Sequence, residues 1–229
     1  MDPRIAIEVI AEALGDLKER CFLTGGMSIP FYITDPLEEP PRATLDIDVV
    51  VEVYSTTEYY NVVETRLRER GFVNDMTPGA PNCRWRWQEF IVDVMPTEES
   101  VLGFTNPWYR EGLSHTIPIT VTQRCAWRVL SSPFALAAKL TAFWTRGSSD
   151  PMRSQDLEDI ITLINGRVEI VQEISTTQEM CKQYVLEALS KILNEERFLD
   201  ALPSHLPYGD AGQQRLPIVL ARMRQITGL

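Results

Sequence analysis

Pro41-Arg42-Ala43-Thr44-Leu45-Asp46-Ile47-Asp48-Val49-Val50-Val51 is the stretch on which the fold turns. Residues 45–53 have the β-branched density of a buried strand. Side chains at i and i+2 of a strand share a face, so Asp46 and Asp48 project together while Ile47 and Val49 face the other side. Two like charges this close are costly unless something positive sits between them, and Mg²⁺ is a hard cation that takes oxygen ligands of this kind. The pair is a candidate metal clamp. A third carboxylate, Asp93, lies in the apolar run 90–95, where an unpaired charge would be expensive. If the two runs are neighbouring strands, three carboxylates converge. The competing assignment stays open: Asp46 and Asp48 as solvated strand-edge charges, and Asp93 paired with an arginine of Arg84-Trp85-Arg86.

Upstream, residues 4–19 have apolar positions Ile5, Val9, Ala13 and Leu17 at helical spacing, and Cys21–Thr24 reads as a short strand. Gly25-Gly26 breaks it. Two glycines before a turn or helix let backbone N–H groups approach a phosphate, with Ser28 adding a hydroxyl, although a plain turn explains them equally well. Residues 27–34 are a weak helix interrupted by Pro30, and 35–41 form an acidic, proline-rich loop. Downstream, Ser55 with Glu58 resembles a capping box for a helix to Arg70, which Gly71 ends. Strands are expected at 84–89, 90–95, 117–121 and 127–130, with 97–116 irregular. Ser132-Pro133 then opens a long helix to Arg146, followed by helices near 154–165, 168–195 with an interruption, and 214–226.

The expected fold is therefore α/β: a front domain over 1–131 and a helical domain over 132–229 packing on it. Within the first long helix of the back, Leu136, Lys139, Leu140 and Phe143 form one stripe, so Lys139 emerges from an apolar face and needs a partner. Triphosphate oxygens would serve, and so would Asp156 or Asp159. Asp156 also has the bland role of a carboxylate at a helix start.

Composition bounds the rest. At 229 residues, 44% hydrophobic and 24% charged, the chain is globular in type. No run of 18 apolar residues is present, and Met1-Asp2-Pro3-Arg4 does not begin a signal peptide, so no membrane span and a cytoplasmic location are expected. Four scattered cysteines and two histidines argue against a zinc site or disulfide framework. The net charge of −10 is concentrated in the front, where 17 acidic face 9 basic residues up to Pro96. Broad nucleic-acid binding is disfavoured, and any RNA contact is expected on a local patch of arginines.

Leu23-Thr24-Gly25-Gly26, Asp46-Ile47-Asp48 and Asp93 together resemble the polymerase-beta-like nucleotidyltransferase superfamily. The wording of residues 41–48 is most similar to its abortive-infection branch, the AbiEii-like toxins. In that branch a later helix supplies a lysine and the next one an aspartate, a pattern that Ala138-Lys139-Leu140 and Gln155-Asp156-Leu157 match. The likeness covers about residues 22–165 and implies a nucleotidyltransferase mixed sheet with flanking helices, then a helical part. It implies Mg²⁺ or Mn²⁺ at Asp46, Asp48 and Asp93, with Asp93 also accepting the attacking hydroxyl's proton. A nucleoside triphosphate such as ATP would be the substrate, its phosphates met by Gly25, Gly26, Ser28, Lys139 and Asp156. A tRNA or other RNA acceptor and an antitoxin protein are the implied partners. One departure stands out: 19 residues separate Gly26 from Asp46, more than the family's usual spacer.

Two other classes compete. Asp46-Ile47-Asp48-Val49-Val50 also fits the opening of a haloacid-dehalogenase phosphatase, but there an apolar strand precedes the first aspartate, whereas here the apolar run follows it. A metal-dependent glycosyltransferase with an Asp-x-Asp motif is disfavoured, since its nucleotide-binding strand–helix units are not evident upstream. The non-enzyme alternative is a catalytically silent relative acting as a binding module.

Overall fold

The computed structural model describes residues 2–35, 44 and 46–229. The acidic loop expected at 35–41 and the strand start at Leu45 lie, apart from Asp35, outside the described residues. The chain divides into two compact units, residues 1–28 with 43–131, and residues 29–42 with 132–229.

The first unit is built on a seven-stranded mixed sheet in the order β3-β4-β5-β2-β1-β7-β6. Its strands are β1 (Cys21–Thr24), β2 (Asp46–Val51), β3 (Val73–Asn74), β4 (Arg84–Trp87), β5 (Phe90–Pro96), β6 (Thr116–Thr120) and β7 (Ala126–Leu130). β1 runs antiparallel to β2 and parallel to β7, while β2 runs parallel to β5. The central strands carry apolar side chains on both faces: Phe22, Leu23, Val49, Val50, Val51, Val92 and Val129 are all fully buried. Such side chains each stabilise the fold by roughly 1.5–3 kcal/mol. Doubly buried strands read as continuous apolar runs, which is why β2 is so legible after Asp48.

Helix Pro3–Leu14 starts on Asp2, whose carboxylate accepts from Arg4 N–H at 2.8 Å, and it buries Ile7, Ile10 and Leu14. It is shorter than expected, because Gly15 turns to positive φ and a 3₁₀ segment follows, Gly15–Arg20. Ser55 does cap the helix at 56–69, its Oγ accepting from Glu58 N–H at 3.1 Å. The return bond of Glu58 goes to Tyr54 N–H at 2.8 Å. A π turn at Tyr59–Val63 widens the middle of this helix, and Tyr59 donates its hydroxyl to Val94 O on β5 at 3.0 Å. Residues 97–116 hold short helices, Glu99–Leu102 and Pro107–Glu111, and a 3₁₀ turn, Gly112–His115.

In the second unit, helices Ser132–Ala142, Gln155–Gly166, Glu179–Asn194 and Leu216–Thr227 bury Leu136, Leu140, Ile160, Ile164, Leu189 and Met223 against one another. Ser154 caps the second of these, its Oγ accepting from Leu157 N–H at 3.2 Å. The segment before the loop belongs here: Thr34 and Asp35 N–H both donate to Gly166 O at 2.9 Å, and Arg215 reaches Asp35 at 2.5 Å. Among the described residues no helix is long and apolar enough to cross a membrane.

Candidate functional site

The carboxylates are placed by strand register. Asp48 on β2 pairs with Asp93 on the parallel strand β5, so the two side chains share a face, and Asp46, two residues before Asp48, shares it too. On the far side of β5, antiparallel β4 sets Arg84 opposite Asp93. On the far side of β2, antiparallel β1 sets Thr24 opposite Asp48. A row therefore crosses four strands: Thr24, Asp48, Asp93, Arg84.

Gly25 follows Thr24 with φ of 68°. A Cβ there would overlap the Asp48 carboxylate, so glycine is demanded twice over, by the left-handed backbone and by the close approach. Ser28 closes this turn, its hydroxyl donating to Gly25 O at 2.7 Å and its N–H to the same oxygen at 3.2 Å. Gly26 opens the 3₁₀ turn Gly26–Phe31, which takes the place of the helix expected at 27–34 and contains Pro30.

Arg84 is the centre of charge. Its Nε donates to Asp93 Oδ1 at 2.8 Å and its Nη2 to Asp93 Oδ2 at 2.7 Å. The same Nη2 reaches Asp46 Oδ2 at 3.2 Å. Thr44 donates its hydroxyl to the other Asp46 oxygen at 2.7 Å. The two-pronged bond to Asp93 raises the Arg84 pKa above its already high ordinary value, against the opposing effect of burial. The neighbouring Cys83 thiol is pushed up to about 12, by burial first and then by the charges of Asp93 and Asp48. Cys83 therefore keeps its proton at neutral pH and is no nucleophile.

Lys139, Asp156 and Asp159 are brought together within the helical unit. Lys139 Nζ lies 2.5 Å from Asp159 Oδ2 and 3.9 Å from Asp156 Oδ1. Asp156 receives a two-pronged bond from Arg146, Nε to Oδ2 at 2.7 Å and Nη2 to Oδ1 at 2.9 Å. All but Arg146 have side chains less than about one-eighth exposed. Of the partners that sequence left open for Lys139, the structure shows the carboxylate of Asp159.

Among the described residues, no three His, Cys, Asp or Glu side chains are grouped to hold a metal ion. The donors are of the right kind for a hard divalent cation: carboxylate oxygens on one sheet face, beside a turn whose missing Cβ leaves room for Asp48. Arg84 engages both oxygens of Asp93. The Asp93–arginine pair was the competing assignment; sequence reasoning left open which arginine of 84–86 makes it, and it missed the reach of Arg84 to Asp46 and the bond from Thr44. A signal for the choice of arginine existed: with Trp87 and Phe90 as the closing pair of a hairpin, counting outward puts Arg84 opposite Asp93.

No protein-family model and no curated protein matches the chain in sequence. Among solved structures, the crystal structure of an antigenic nucleotidyltransferase-like protein from Paracoccidioides brasiliensis superposes with a TM-score of 0.54. It is 17% identical, over 89% of this chain and 93% of that one. At that identity the likeness establishes the fold: a mixed α/β sheet with helices, shared with a nucleotidyltransferase-like protein.

Proposed function

We propose that the chain is a nucleotidyltransferase, moving a nucleoside monophosphate from a nucleoside triphosphate to an acceptor hydroxyl. The observation that carries this reading is the register that sets Asp46, Asp48 and Asp93 on one face beside the Gly25 turn. The name of the structural neighbour supports the same class. In the reaction the acceptor oxygen attacks the α-phosphorus, the bond to the β-phosphate oxygen breaks, and pyrophosphate leaves with that electron pair. A divalent cation held by Asp46 and Asp48, with Asp93 if it is released by Arg84, would offset the charge of the phosphates.

The chain's own groups do the rest. Asp93, once released by Arg84, takes the hydroxyl proton on a carboxylate oxygen. The backbone N–H groups after Gly25 face the phosphates, and the Ser28 hydroxyl fixes the turn that aims them. Lys139, pointed to the triphosphate by its apolar stripe as well as by resemblance, and Asp156, by resemblance, act on this reading by holding the helical unit's polar centre. RNA, and tRNA ends first, is the acceptor class we propose, in a toxin of the abortive-infection type controlled by a partner antitoxin.

Arg84 favours a second reading, a silent binding module whose carboxylates are held by arginine. The phosphatase is disfavoured because Asp46 is the first residue of β2 and not its last. Incubating the purified protein with each labelled triphosphate, Mg²⁺ and total RNA separates these. We expect label on RNA with wild type and at least about a hundredfold less with Asp48→Ala, the order of loss typical for a lost transition-state contact. No transfer to any macromolecule and no triphosphate binding would sink the enzyme reading; phosphate release from a simple monoester would favour the phosphatase.

A further inference from the structure

The carboxylate face carries its own cation. Arg84 grips Asp93 with two nitrogens and touches Asp46 with one of them, and its side chain is only 24% exposed. An arginine so placed lies among the oxygens that a divalent cation would need. Asp93 is held closely: its side chain is 10% exposed, and each oxygen accepts a charge-assisted hydrogen bond from Arg84. Such bonds are about twice as strong as neutral ones and are directional for the guanidinium fork.

We propose that Arg84 is an internal counter-ion of the carboxylate face, which a divalent cation must displace from Asp93, and that Arg84 thereby sets the cation affinity of the site. It is a positioning residue, acting on the ligands and not on the reacting atoms. The proposal rests on the reading of Asp46, Asp48 and Asp93 as cation ligands, but not on the transfer reaction. With Arg84 engaged, Asp93 is held in place while the site is without its cation, which avoids the cost of a buried unpaired carboxylate. When a cation arrives, the face exchanges one positive partner for another, so binding is weaker than the number of carboxylates suggests.

The test uses the full chain without nucleotide and reads Mn²⁺ binding by electron paramagnetic resonance. Arg84→Gln removes the competing charge and should bind Mn²⁺ about tenfold more tightly, the factor expected for one charge-assisted bond. Arg84→Lys keeps the charge but loses the fork, and its affinity should fall between the two. Arg86→Gln is the control for net charge: it lies on the same strand but pairs with Asp75, and it should leave Mn²⁺ binding within about twofold of wild type. Melting temperature gives the second readout. Arg84→Gln should melt below wild type in chelator, because Asp93 is then unpaired, and should gain more than wild type from added Mn²⁺.

Equal or weaker Mn²⁺ binding by a folded Arg84→Gln overturns the proposal, as does an equal gain for Arg86→Gln, or no Mn²⁺ binding by any form. If Arg84→Gln does not fold, Arg84→Lys decides by the same comparison. Loss of nucleotide transfer together with intact competition would defeat the enzyme reading and leave this one standing.

Discussion

At Gly25 two separate constraints fall on one residue, and they can be pulled apart. Gly79 has φ of 87° and would meet nothing within 4 Å if a Cβ were added. Gly79→Ala should therefore cost only the left-handed backbone, about 1–2 kcal/mol. Gly25→Ala carries the same backbone cost and also drives a methyl group into the Asp48 carboxylate, so about 3 kcal/mol is expected once crowding is added. Urea denaturation of the two variants beside wild type measures the difference. If Gly25 only makes a turn, the two losses will be equal. Because the clash is with Asp48, Gly25→Ala should also weaken Mn²⁺ binding, whereas Gly79→Ala should not.

Among the elements, the pairing of helices Ser132–Ala142 and Gln155–Gly166 through Lys139 and Asp159 has the energetics of a buried ion pair. Removing one partner strands the other, which typically costs about 3–5 kcal/mol, while replacing both with apolar groups of similar size is often neutral. Lys139→Met is thus expected to destabilise strongly and Lys139→Met/Asp159→Leu to recover most of the loss, as chemical denaturation will report. A lysine whose sole work was to meet phosphates would show no such coupling. The elements also show what a single sequence makes legible. β1 was readable to the residue, because an apolar run bounded by a glycine pair leaves little choice. β3 was not: two residues, exposed Val73 and half-buried Asn74, carry no periodicity, and only pairing to β4 makes them a strand. The helix end at 14 was overrun because Leu17 extends the apolar pattern into a 3₁₀ turn, Gly15–Arg20, whereas the helix from Ser132 runs on through a π turn, Phe143–Gly147, past its expected end at Arg146. In the site, the spacing of Asp46 and Asp48 gave a shared face for any strand. The match of Asp93 to Asp48 needed the inter-strand register, and that depends on the whole sheet. Lys139 was legible as a charge on an apolar stripe, but its partner was a tertiary fact.

For the molecule as a whole, the unit boundary is crossed three times by the chain, after Ser28, before Ala43 and after Ser131. An expectation of one domain to 131 and another from 132 assigns residues 29–42 to the front, whereas the contacts of Thr34 and Asp35 are with Gly166, Glu169 and Arg215. The fragment 132–229 should therefore be incomplete alone, with the carbonyl of Gly166 and the guanidinium of Arg215 missing partners. A synthetic peptide of residues 29–42, added to that fragment at increasing concentration, is expected to raise its urea midpoint by mass action. A midpoint that does not move would show that the segment contributes nothing to the unit.

This threading also orders events in time. A ribosome delivers Asp35 180 residues before its partner Arg215, so the early segment must wait through synthesis of the entire sheet before its own unit can close. Contacts of such long sequence separation form late and slow folding. The sheet unit, whose strands are all made by residue 130, can assemble while the helices are still being translated. The described residues 29–35 are then held in reserve for a unit that does not yet exist.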